Sequence, residues 1–271
     1  MPEPLLRLQH ITKTFSGRST PFGSSNVTHA VQDVSLDVAP GETVALVGES
    51  GSGKTTLSRI ALRLTDVTSG NVVFDGADVT RVRGRGLRTL RRELSVVFQD
   101  PYTSLNPRQT VGRIISGPLR NHGLPRDEKV LTDLITSVGL DAEHLNRYPH
   151  QFSGGQRQRI GIARALATQP RMIIADEPVS ALDVSIRAQI LNLLGDLRDE
   201  RGLALLVVSH DLTVVRGIAD RVAVMQHGRL VESGPVEQVY EDPQDDYTRS
   251  LLAAVPIPDP HRRTRPLPTS P

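Results

Sequence analysis

Apolar positions along the chain fall into two patterns. Four short stretches are apolar with almost no polar interruption: "TVALVG" (43–48), "SVVFQ" (95–99), "RMIIADEP" (171–178) and "LALLVVSH" (203–210). Runs of this kind predict strands buried on both faces, as in a parallel sheet. Val31, Val34, Leu36 and Val38 fall mostly in period two and predict a half-buried strand, and 5–11 alternates more weakly. Leu57, Ile60, Ala61 and Leu64 recur at helical spacing, and 110–145 carries amphipathic helical character without a strong strand. Helical patterns separating buried strands predict a largely parallel α/β fold with a helical insertion. Residues 16–29 are rich in Ser, Gly and Thr and read as a loop. No internal repeat is visible.

Composition narrows the class. The 271 residues suffice for one large domain or two small ones. A net charge of +2 is too small to suggest a nucleic-acid binder. The absence of cysteine excludes disulfides and thiolate-held metals. The first residues have no apolar core of a signal peptide, and no stretch approaches 18 consecutive apolar residues. Six prolines among residues 256–271 predict an extended, disordered tail after a folded part spanning 1–255.

Candidate chemistry starts where the first buried strand ends. Gly48, Glu49, Ser50, Gly51, Ser52, Gly53, Lys54, Thr55 and Thr56 form a Gly-x-x-x-x-Gly-Lys-Thr stretch between a predicted strand and a predicted helix. In that context the glycines let backbone N–H groups curl around an anion. Lys54 is one of only three lysines in an arginine-rich chain. Its slim ammonium fits inside a ring of amides where a forked guanidinium does not, and it can reach the β- and γ-phosphates. The Thr55 hydroxyl can ligate Mg²⁺. Asp176 ends another apolar strand, placed to hold Mg²⁺ through water, and Glu177 is a candidate general base.

At "QFSGGQRQRIGIARAL" (151–166) the sequence resembles the signature of ABC-type ATPases, with Ser153, Gly154, Gly155 and Gln156 at its core. The resemblance covers about 5–254. "VVFQDPYTSLNPR" (96–108) and "DEPVSALDVSIRAQILNLL" (176–194) resemble the ATP-binding subunits of bacterial dipeptide and oligopeptide importers, a branch that includes nickel importers. The resemblance implies a P-loop NTPase core of ABC type, with an N-terminal antiparallel β subdomain and an α-helical subdomain at about 107–165. It implies ATP and Mg²⁺ as ligands. Gln99 becomes the sensor of Mg²⁺ and attacking water, and His210 the residue that holds γ-phosphate and water. Ser153 to Gln156 become the surface offered to a partner subunit's ATP. Asp183, the acid of "SALD", joins the nucleotide site. Phe15 matches the aromatic that stacks on adenine, with Phe22 as the nearby alternative.

The same resemblance implies a second ATPase subunit, identical or paralogous, two transmembrane permease subunits and, indirectly, an extracytoplasmic solute-binding protein. It places the chain at the cytoplasmic face of the inner membrane. Asp100 to Arg108 is expected as a stiff, poorly helical surface segment, with Tyr102 and Leu105 offered to a membrane subunit; the alternative is that these two form a local mini-core. The chain departs from close relatives at Asp245-Asp246-Tyr247-Thr248, where they usually carry His-Pro-Tyr-Thr, and this cysteine-free sequence shows no match to the longer cysteine-bearing extension of several of them. The alternatives are a soluble ABC ATPase acting on DNA or ribosomes, or an importer of nickel or another small solute. A single phosphate loop, no long heptad run and no cysteine argue against the soluble class.

Overall fold

A computed structural model of the chain describes residues 3–16 and 27–254. Phe22, most of the loop expected at 16–29 and the proline-rich tail lie outside the described residues. Two sheets organise the rest. The smaller is built from β1 (Leu6–Ser16), β2 (Val27–Val38), β4 (Ser69–Phe74) and β5 (Ala77–Asp78), in the order β2-β1-β4-β5. All its pairings are antiparallel. The larger has six strands in the order β10-β9-β3-β8-β7-β6. They are β3 (Thr43–Val47), β6 (Leu94–Val97), β7 (Met172–Asp176), β8 (Ala204–Ser209), β9 (Arg221–Gln226) and β10 (Arg229–Pro235). β6, β7, β8, β3 and β9 run parallel, and β10 closes one edge antiparallel to β9.

β3, β7 and β8 are buried at every position. Their near-continuous apolar runs are what a sheet covered on both faces requires. One core packs Val44, Leu46, Ile174 and Leu206 against α1 (Lys54–Ala61) and the small sheet. The other packs Ala45, Val47, Ile173 and Val207 against the remaining helices. Alternate residues of each strand thus feed opposite cores, the period-two rule of a pleated strand.

Between β6 and β7 the chain is helical. It comprises α3 (Pro101–Ser104), α4 (Val111–His122), α5 (Glu128–Thr136), two 3₁₀ turns and α6 (Gly154–Leu166). Thr110 and Asp127 cap α4 and α5 by accepting from the N–H groups of Arg113 and Val130. Preceding this run is α2 (Gly84–Glu93), and following β7 is α7 (Val184–Arg201). The last helices among the described residues are α8 (Leu212–Val215), α9 (Val236–Glu241) and α10 (Asp246–Ala253).

Three expectations are corrected. The first helix starts at Lys54 itself and stops at Ala61, and Leu64 is exposed outside it. Gly53 at φ 104° launches the helix, and Arg63 at φ 53° turns the chain away. The strand expected to reach Gln99 ends at Val97, leaving Phe98 exposed. The segment after Gln99 contains a helical turn with Pro101 in its first position, where the missing N–H costs nothing. That turn carries Leu105 into the core, 1% exposed, so Leu105 is a packing residue and not a surface anchor.

Candidate active site

Register alone brings the polar ends of four strands level. Val97 of β6 lies opposite Ala175 of β7, and Ala175 opposite Val207 of β8. Val208 pairs with Asp176, and Ser209 with Val47 of β3. Gln99 and Glu177 therefore each stand two residues past paired positions, and Gly48 and His210 each one residue past another pair. The crevice beyond the carboxyl ends of parallel strands is where α/β sheets hold ligands.

The phosphate loop leaves β3 at Gly48. A Cβ there would meet the Met225 carbonyl oxygen at 2.1 Å, and one on Gly53 the Ala30 carbonyl oxygen at 2.3 Å. Both glycines have positive φ, so no other residue fits without moving backbone. Lys54 is buried, and its Nζ donates to the carbonyls of Gly48 (2.7 Å) and Glu49 (2.8 Å) and, more distantly, to Ser52 Oγ (3.5 Å). Burial lowers the Lys54 pKa, and the charges of Glu177, Asp176 and Glu49 oppose that shift. Thr55 and Thr56 follow in the first turn of α1, each partly exposed.

Asp176 is 8% exposed, and its Oδ1 has no hydrogen-bond partner among the described residues. Burial, then Glu177, push its carboxyl above the usual range; Arg59, Lys54 and the Thr55 hydroxyl pull the other way. Among the described residues no three His, Cys, Asp or Glu side chains cluster to cage a metal. A lone buried carboxylate with an unpaired oxygen beside a threonine hydroxyl fits Mg²⁺, which takes one or two protein carboxylates plus substrate phosphates.

Glu177 is the meeting point of the polar groups. Its Oε2 accepts from Gln99 Nε2 at 2.9 Å and lies 3.3 Å from His210 Nδ1. Its backbone adopts φ 48°, uncommon for a residue with a side chain, and is held by its N–H donating to the Val208 carbonyl at 3.0 Å. His210 is half exposed and the Glu177 carboxyl only 16% exposed. The arrangement presents one oriented carboxylate with a donor amide and an imidazole on the same oxygen.

The signature residues occupy another element. Ser153 caps α6, its Oγ accepting from Gln156 N–H while Gln156 Oε1 accepts from Ser153 N–H. Gly154 and Gly155 let α6 approach the next helical segment: a Cβ on Gly155 would sit 2.6 Å from Ile186 Cγ2, and one on Gly154 3.2 Å from Leu182 Cδ2. Asp183 is the exposed residue preceding α7 and makes no side-chain cap bond. Ser153 and Gln156 spend these hydrogen bonds on the cap itself, whereas Gln99, Glu177 and His210 share direct contacts. Phe15 is 46% exposed at the end of β1 with Lys13 Nζ 5.0 Å from its ring centre. It is an aromatic surface and not a core residue. One contact to the loop is foretold by no motif: the Glu49 N–H donates to the Tyr247 hydroxyl at 3.0 Å.

The chain is similar to known proteins over most of its length. Residues 31–180 match the ABC transporter family. The chain is 53% identical over 264 residues to the glutathione import ATP-binding protein GsiA of Salmonella typhimurium, covering 96% of this chain and 42% of that one. It thus spans less than half the length of these relatives. It is 50% identical over 265 residues to the oligopeptide transport ATP-binding protein OppF of Bacillus subtilis, covering 96% of this chain and 85% of that one. Among solved structures, the dimeric ATP-binding cassette MJ0796 bound to ADP and Pi superposes with a TM-score of 0.75 at 32% identity, covering 85% of this chain and 98% of that one. The cassette cbiO1 of Clostridium perfringens superposes with a TM-score of 0.76 at 29% identity, covering 89% and 92%. The family implied by the ordered motifs is the family found, and this chain belongs to the ABC transporters.

Proposed function

We propose that the chain is the ATP-hydrolysing subunit of a membrane importer whose cargo is peptides. The observation that carries the hydrolytic part is the convergence of Gln99 and His210 on one oxygen of Glu177, level with the Lys54 loop. The peptide part is supported by the names of the oligopeptide and glutathione import relatives.

ATP would place its phosphates against the loop amides and the start of α1, with Lys54 leaving the Gly48 and Glu49 carbonyls for phosphate oxygens. Mg²⁺, held by Thr55, Asp176 and Gln99, would neutralise phosphate charge. Glu177 takes a proton from the attacking water. Gln99 orients that carboxylate through its amide nitrogen and keeps its amide oxygen for the metal. His210 donates toward the γ-phosphate. Phe15 offers its exposed face to adenine. A second ATPase subunit would meet Ser153 to Gln156 and Asp183; the dimeric cassette with ADP and Pi supports such an assembly.

No helix among the described residues is long and apolar enough to cross a membrane, so attachment at the inner face of the membrane rests on permease subunits. A cleft of about 240 Å³ beside the helical run offers them a seat. It exposes Leu64 (49%) and Phe98 (41%) beside Pro118, His122 and Arg164.

The test is co-purification with the permease subunits and reconstitution into vesicles with the solute-binding protein. Peptide should stimulate ATP hydrolysis, and Lys54→Ala should reduce it about 10²- to 10³-fold. Unchanged hydrolysis in that variant would end the reading of the loop; stimulation by Ni²⁺ or another small solute in place of peptide would move the cargo.

A further inference from the structure

The C-terminal helix touches the phosphate loop. α10 is fixed before it gets there. The Glu232 carboxylate on β10 accepts from the backbone N–H groups of Gln244 (2.8 Å) and Asp245 (3.1 Å). Asp245 Oδ1 then caps the helix by accepting from Tyr247 N–H at 2.9 Å. Tyr247, Leu251 and Leu252 pack against the core. From this anchored turn the Tyr247 hydroxyl accepts the Glu49 N–H at 3.0 Å, across 198 positions of sequence. On the other side of the same residue, the Glu49 carbonyl accepts from Lys54 Nζ at 2.8 Å. Glu49 is therefore held between the C-terminal helix and the lysine that meets phosphate. Burial pushes the Tyr247 hydroxyl above its ordinary pKa, so it stays neutral and adds no negative charge beside a phosphate site.

We propose that Tyr247 is a positioning residue of the nucleotide site: by holding the Glu49 amide it sets the entry of the phosphate loop and the carbonyl against which Lys54 rests. This rests on the loop being the ATP site, and makes α10 a working part of that site. Of the stretch Asp245-Asp246-Tyr247-Thr248, the tyrosine is the member that reaches the loop, while Asp245 orders the turn that presents it.

Tyr247→Phe in the full chain keeps the ring and its packing and removes only the acceptor. Affinity for a fluorescent ATP analogue with Mg²⁺ should weaken about two- to tenfold, as loss of one hydrogen bond predicts. KM for ATP should rise in step while kcat stays within about twofold, and amide exchange in the peptide covering 48–53 should quicken. Asp245→Ala, which loosens the first turn of α10 without touching the ring, should quicken exchange in the same peptide. Tyr247→Phe with unchanged affinity and unchanged loop exchange overturns the proposal, whether or not the melting temperature falls, since packing alone would then be its role. Lys54→Ala separates the two levels. If it binds ATP normally, the ATP-site reading itself fails; if it loses ATP while Tyr247→Phe behaves as wild type, only the role of Tyr247 fails.

Discussion

Asp176 sits at the end of β7 with one carboxylate oxygen unpaired and with burial and Glu177 raising its pKa. An acid whose pKa is higher folded than unfolded binds more protons in the folded state. Its charge therefore costs stability as pH rises from the unfolded value through the folded one, and the penalty is complete above both. Asp176→Asn removes that charge. The nucleotide-free variant should melt at a higher temperature than wild type at neutral pH, and the gap should close as the pH is lowered into the carboxylate range. ATPase activity with Mg²⁺ should drop about 10²-fold or more. Thermal scans across pH, paired with a phosphate-release assay, check both halves; a variant less stable at neutral pH would mean the carboxylate is satisfied in a way its contacts do not suggest. Glycines 48 and 53 belong to the same scale, since carbonyls from Met225 and Ala30 occupy the space a side chain would need.

At the level of elements, the buried strands were legible because nothing else explains runs such as "LALLVVS". The loop between β3 and α1 was legible because glycine spacing and a lone lysine carry a mechanism. Element ends were harder. The "SVVFQ" run does not say that Phe98 faces out, since a residue past a strand end obeys no period. β9 carries an unbroken "VAVM" followed by Gln226-His227-Gly228, a signal as plain as that of β3, yet it backs the loop from behind, through Met225 and through the Gly228 N–H, which donates to the Ser52 carbonyl at 2.9 Å. β4 and β5 are short and mixed, and pairing makes them strands where local pattern does not: β4 pairs with β1, and β5 with β4. The contact between Tyr247 and Glu49 had no sequence signal, because side-chain reach across such a distance is a product of the fold. Leu105 shows how composition misleads: an apolar residue between prolines looked exposed, but the turn at 101–104 and the Arg164 guanidinium, donating to the Ser104 carbonyl at 2.6 Å, draw it inward. Leu105→Ala should accordingly cost about 2–5 kcal/mol of stability, read by denaturant unfolding. A cost under about 0.5 kcal/mol would return the residue to the surface.

For the molecule as a whole, the division of labour between elements sets what one copy can do. Glu177, Gln99 and His210 are joined by direct contacts, while Ser153 and Gln156 close their cap on α6. If a second cassette supplies its signature residues to this site, slowing hydrolysis should trap the pair. Glu177→Gln keeps the shape of the side chain but cannot accept the proton of water, and turnover should fall about 10²- to 10⁴-fold. With ATP and Mg²⁺, light scattering should then report a dimer of this chain or a pair with its paralogue. A monomer in both mixtures would refute the sandwich arrangement.

Strand order has a consequence for the newborn chain. β8 lies between β3 and β7, yet it is made after both. While the ribosome is still extending the chain toward residue 204, β3 and β7 have no shared neighbour, and each presents an apolar edge that invites pairing with other chains. Insertion of Ala204–Ser209 closes that gap and at once brings His210 beside Glu177. The strand that joins β3 to β7 is thus also the one that carries His210 to Glu177.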